Sequence, residues 1–105
     1  AHLYYRVVAH LPDASRVQEY IDWLVPHHLD AVKRAGAQQA WAVRLDNPNP
    51  TDPVRIESHY IFASRDAFAT YEKEHAPRLR QEGLEKFGPS TGIRFERFTG
   101  DLLSL

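Results

Sequence analysis

From His2 to Leu11 the chain alternates, with Leu3, Tyr5, Val7, Ala9 and Leu11 on one side and Tyr4, Arg6, Val8 and His10 on the other. A period of two predicts a strand with one apolar and one mixed face. Pro12 ends it, and Asp13 is placed to cap a helix. Val17, Tyr20, Ile21 and Leu24 then recur at the spacing of an amphipathic helix. Pro26 removes a backbone donor inside that helix, which predicts a kink at Val25. The helix continues through His27 to Ala35, where Gly36 supplies the left-handed position that ends it.

The same alternation returns in Gln38–Asp46, with Ala40 and Ala42 set against Trp41, Val43 and Leu45. The run Asn47–Pro53 has three prolines and two asparagines in seven residues, so it predicts a hairpin loop. Val54–Ala63 is a third strand, with Ile56, Ser58, Tyr60 and Phe62 opposite Arg55, Glu57, His59 and Ile61. Ser64 and Asp66 open a second helix whose core stripe is Ala67, Phe68 and Tyr71. Pro77 predicts a break near His75 and a restart at the proline. The restarted helix carries Leu79, Gly83, Leu84 and Phe87 on one stripe and ends at Gly88-Pro89. A glycine inside a helix costs about 1 kcal/mol against alanine, so Gly83 predicts the close approach of another backbone. Thr91–Thr99 is a fourth strand, in which Ile93, Phe95 and Arg97 oppose Arg94, Glu96 and Phe98; Phe95 and Phe98 therefore face opposite ways.

The element order βαββαβ predicts an α+β fold: one ferredoxin-like sandwich over residues 1–105. Its four-stranded antiparallel sheet has the order 4-1-3-2, with helices on one face. Two segments add to this. His75–Gly88, HAPRLRQEGLEKFG, resembles the signature HAPRLRxEGLxxFG of an uncharacterised bacterial family, domain of unknown function 4286. Tyr20–Leu29, YIDWLVPHHL, is similar to that family's first helix, where an aromatic-Leu pair precedes histidine. The resemblance implies the dimeric α+β-barrel, ferredoxin-like superfamily. That superfamily includes cofactor-independent isomerases, cyclases and monooxygenases, and the family label itself supplies no function.

Composition narrows the chemistry. A net charge of −1 lacks the basic excess of a nucleic-acid binder. With no cysteine there is no disulfide, thiolate metal site or thiol nucleophile. The spacing of His and carboxylates defines no metal set, no glycine-rich phosphate loop predicts a nucleotide cofactor, and no stretch has the length of a membrane span. A protein without cofactor, placed in the cytoplasm, is the expectation.

A sheet with helices on one face leaves the other bare. Tyr4, Val8, Trp41, Val43, Ile61 and Phe98 are expected there, an apolar area that a second copy would cover sheet to sheet. The same face gathers Arg6, Glu57 and His59. One reading is a small-molecule pocket in which His59 is a general base oriented by Glu57, Arg6 meets an anionic group, Tyr4 donates and Trp41 forms a wall. The other, which the sequence favours, is an ion-pair network that fixes the dimer. His28 and His75 sit beside the two helix breaks. They are ligand-binding candidates, but the simpler expectation is that His27, His28 and His75 bond the carbonyls freed by Pro26 and Pro77. Two functions stay open: a ligand-binding or assembly module, and a cofactor-independent enzyme. A solvent-connected pocket lined by His59 or His28 points to the enzyme, and a fully packed barrel to the module.

Overall fold

The computed structural model describes all 105 residues. Strand β1 (Leu3–Leu11) leads through a short 3-10 turn, capped by the Asp13 side chain on the Ser15 amide, into helix α1 (Val17–Trp23). Leu24–His28 is a π turn in which the Leu29 amide donates to the Leu24 carbonyl, and helix α2 (Leu29–Arg34) continues from it. Widening the helix by a residue accommodates Pro26, whose ring otherwise clashes with the carbonyl four residues back. Gly36 comes next with φ 132°, the positive value expected of it. Strands β2 (Gln39–Arg44) and β3 (Val54–Phe62) form the hairpin around the proline-rich loop.

Helix α3 (Arg65–Glu74) is capped by the Ser64 hydroxyl, which accepts from the Ala67 amide at 3.0 Å. Helix α4 (Ala76–Phe87) begins one residue before Pro77 rather than at it. In this first turn the missing N–H has no intrahelical partner to lose. The expectation for the histidines is corrected here: neither His28 nor His75 makes a side-chain bond to a helix end. At the second break the backbone itself supplies the bonds, with the His75 amide donating to the Tyr71 carbonyl and the Leu79 amide to the His75 carbonyl.

Strand β4 (Arg94–Asp101) starts and ends later than the alternation implied. The residues before it fold into a 3-10 turn, Pro89–Thr91, closed by the Thr91 hydroxyl on the Gly88 carbonyl at 2.7 Å. Gly92 at φ 75° then turns the chain, which no extended strand permits. The parity of the faces is unchanged by this shift.

The sheet is antiparallel in the order β2-β3-β1-β4, which is 4-1-3-2 read from the other edge. This is the ferredoxin-like α+β sandwich, with both helical arms on one face. A cluster of 18 buried residues lies between sheet and helices, built on Leu3, Leu11, Leu24, Tyr60, Phe62, Leu79 and Phe87. Gly83 does permit close approach, but of a side chain rather than a backbone. A Cβ there would lie 3.3 Å from the Trp23 ring. No helix is long and apolar enough to cross a membrane.

Phe95 packs on the helix side, 6.2 Å from the Tyr20 ring, while Phe98 is 41% exposed on the other face. Phe95→Ala is therefore expected to cost about 2–4 kcal/mol in denaturant unfolding and Phe98→Ala less than about 1 kcal/mol of subunit stability. Equal losses at the two positions would contradict this division of the faces.

Candidate functional site

Register fixes what each sheet face presents. On the bare face, one row crosses all four strands: Trp41, His59, Arg6 and Phe98. Trp41 stacks on His59 at 5.2 Å and 11°, and the Arg6 guanidinium lies 4.5 Å over Phe98. The structure thus brings Tyr4, Arg6, Trp41, Glu57 and His59 together. The Tyr4 hydroxyl is 2.5 Å from His59 Nδ1, and His59 Nε2 is 3.6 Å from Glu57 Oε1. Burial holds the His59 pKa below its ordinary value, against the opposing pull of Glu57, and raises that of Tyr4. In the tautomer with its proton on Nε2, the nitrogen turned toward Glu57, Nδ1 accepts from Tyr4 and its basic lone pair is engaged.

Glu57 is only 5% exposed. Its closest cation is Arg55, which donates from Nε and Nη2 to Oε2 at 3.0 and 2.7 Å, while Arg6 stands at 3.8 Å from Oε1. A buried carboxylate requires such company. The apolar area of this face is smaller than expected. Val8 and Ile61 are only 3% and 1% exposed. Trp41, Val43 and Phe98 are what solvent meets.

The cavity that His28 lines is on the opposite side of the sheet. A cavity of about 60 Å³ lies between the inner sheet face and the helices. The sheet contributes Tyr5, Val7, Ser58, Tyr60, Phe95 and Arg97 to its lining, and the helices contribute Tyr20, Trp23, His28, Tyr71, Leu79, Arg80, Gly83 and Leu84. Leu84, 49% exposed, and the exposed Arg97 place its mouth between α4 and β4. Tyr60, 1% exposed, has its hydroxyl enclosed, with the Ser58 side chain as its hydrogen-bonding neighbour. Burial raises the pKa values of Tyr20, Tyr60 and Tyr71, against a smaller opposing effect of Ser58 at Tyr60, so all three stay protonated.

His28 is separated from the other candidates. Its ring stacks on Trp23 at 4.5 Å and lines this cavity, and burial, helped by the Arg97 charge, lowers its pKa to about 4. His75 lies apart from both places, in a depression with Ala31, Arg34, Ala35 and Arg78. No group of three or more His, Cys, Asp or Glu side chains could hold a metal ion. The cavity residues carried a signal in the sequence: Tyr5, Tyr20, Tyr60 and Tyr71 occupy core positions where phenylalanine would suffice, and Ser58 and Arg97 share that face.

The depressed His28 pKa has a consequence for stability. The unfolded chain takes up a proton as pH falls through about 6.5, whereas the fold refuses it until about 4. His28 therefore favours the fold above this window and loses that contribution within it. Relative to His28→Gln, the wild type is expected to lose about 2–3 kcal/mol between roughly pH 7 and pH 4. Parallel stability curves for the two proteins would show that the imidazole is solvated.

Comparison with known proteins agrees with the fold. A dimeric ferredoxin-like protein from an uncultured marine organism superposes with a TM-score of 0.74 at 10% identity, covering 100% of this chain and 97% of that one. An EthD-family protein from Bacillus halodurans gives 0.67 at 8% identity, over 95% of this chain and 99% of the other. A candidate antibiotic biosynthesis monooxygenase from Deinococcus radiodurans gives 0.67 at 9% identity, over 100% and 95%. No curated protein matches the chain. At these identities the likeness is one of fold. The two histidine-bearing helix segments and the β2–β3 hairpin between them fall within residues 2–96, which match the model of the family described as Domain of unknown function (DUF4286), and the chain belongs to that family.

Proposed function

We propose that this protein is a homodimer that binds a small molecule in the cavity between sheet and helices and pairs with its second copy through the bare sheet face. The cavity itself carries the reading: apolar and aromatic side chains line it, with His28, Ser58, Arg80 and Arg97 as the few polar groups among them. Pairing through the bare face is supported by its row of Trp41, His59, Arg6 and Phe98, in which exposed aromatics flank a cation and an imidazole. Two of the structural relatives are themselves dimeric ferredoxin-like proteins.

On this reading the cluster of Tyr4, Arg6, Glu57 and His59 is the interface network, and Trp41 is a contact residue. A second reading, a cofactor-independent enzyme, is favoured by one observation: His28 lines this cavity, which opens to solvent beside Leu84 and Arg97. His59 is the poorer general base, since Tyr4 occupies its acceptor nitrogen. A molecule held in the cavity meets His28 and not His59.

Light scattering is expected to give the dimer mass for the wild type and the monomer mass for Trp41→Glu; a wild-type monomer at micromolar concentration would remove the interface. For the cavity, the wild type is expected to capture small organic molecules, read by NMR titration. Leu84→Trp fills the mouth from a half-exposed position and is expected to abolish capture with the fold intact. Equal capture by the wild type and Leu84→Trp would place the binding site elsewhere.

A further inference from the structure

Three arginines stand on the bare sheet face, and two of them are paired there. Arg55 donates to Glu57 Oε2 at 3.0 and 2.7 Å, and Arg94 lies 3.2 Å from Glu96, whose Oε1 also meets His10 Nε2 at 2.6 Å. Arg6 has no such contact. Its Nε is buried without a partner, and its Nη1 comes only to 3.8 Å from Oε1 of Glu57, a carboxylate already bonded to Arg55. The Phe98 ring lies 4.5 Å from the guanidinium, and 32% of the side chain stays exposed. That open part is on the side that a second copy would cover.

Charge on this face does not balance. Arg6, Arg55 and Arg94 oppose Glu57 and Glu96, an excess of one positive charge with the histidines counted as neutral. Pairing two such faces sets one excess against the other and withdraws both Arg6 side chains from water. Both effects oppose association unless a counter-charge enters with the arginine. A second copy carries the same surplus, so its own carboxylates do not make up the difference.

We infer that each Arg6 takes a small monovalent carboxylate from solution, held at its Nη groups and enclosed when the second copy closes over it. One such ion per subunit restores neutrality, and the guanidinium fork meets the two oxygens of a carboxylate with parallel N–H bonds. Trp41 and Phe98, partly exposed at the two ends of the row, offer apolar surface to the rest of the molecule. The site rests on the pairing of copies proposed above and is incomplete in a single subunit.

Acetate is the probe, exchanged for chloride at constant ionic strength, with acetamide as its neutral counterpart. Sedimentation is expected to show the wild-type dimer dissociation constant falling about tenfold in acetate and unchanged by acetamide. In NMR titration of the wild type, the Arg6 side-chain resonances should move with acetate while those of Arg97 stay. Arg6→Gln should dimerise equally in both salts, and Arg97→Gln, across the sheet at the cavity mouth, should keep the wild-type response. A wild-type dimer indifferent to acetate, a response that survives Arg6→Gln, or acetate shifts centred on Arg97 would overturn the site and leave the dimer standing. If Arg6→Gln fails to dimerise, the wild-type shifts decide alone. A wild type that stays monomeric in acetate and chloride alike would remove the pairing and this inference together.

Discussion

The indole of Trp23 lying across Gly83 is the contact on which the helical layer depends. Any larger residue at position 83 would meet the ring, since a Cβ alone comes within 3.3 Å of it. The ring has little room to yield: it is stacked on His28 at 4.5 Å and packed against Phe87 at 5.4 Å and Tyr20 at 5.8 Å. This one side chain joins the first helical arm to the second and orders the π turn that carries His28. It also forms part of the cavity lining. The close approach that a mid-helix glycine allows is thus spent on bringing an aromatic and an imidazole to the edge of an enclosed space.

The sheet beneath has two faces with different problems. The inner face is covered by helices, yet it holds tyrosines, Ser58 and Arg97 where a purely structural core would hold hydrocarbon. Polar tips in such a place either find partners or lower stability. The outer face has the reverse arrangement. Its carboxylate and imidazole are paired within the subunit, Glu57 by Arg55 and Arg6, His59 by Tyr4, while the buried Arg6 Nε has no partner and the aromatics remain partly open to solvent. The face that borders a cavity suits a ligand, and the face with paired charges and exposed aromatics suits a protein surface.

Much of the fold was legible before any coordinates. Alternation placed all four strands on the correct faces, the prolines marked both helix breaks, and element order led to the sheet topology. Boundaries were less legible. β4 begins at Arg94 because Thr91 and Gly92 make a turn whose geometry depends on a hydroxyl and a positive φ, and neither alters the alternation. The outer-face cluster could also be read, since the register of an antiparallel pair follows from which residues face the core.

Local sequence therefore determined which residues share a strand face, where the helices yield, and that Phe95 and Phe98 part company. Only the tertiary structure decided which face encloses space. It set His28 against Trp23 on the inner side and His59 against Trp41 on the outer, and it left His75 outside both. The reason is physical: periodicity reports direction along one element, whereas a cavity arises from how the side chains of separate elements fail to fill the volume between them.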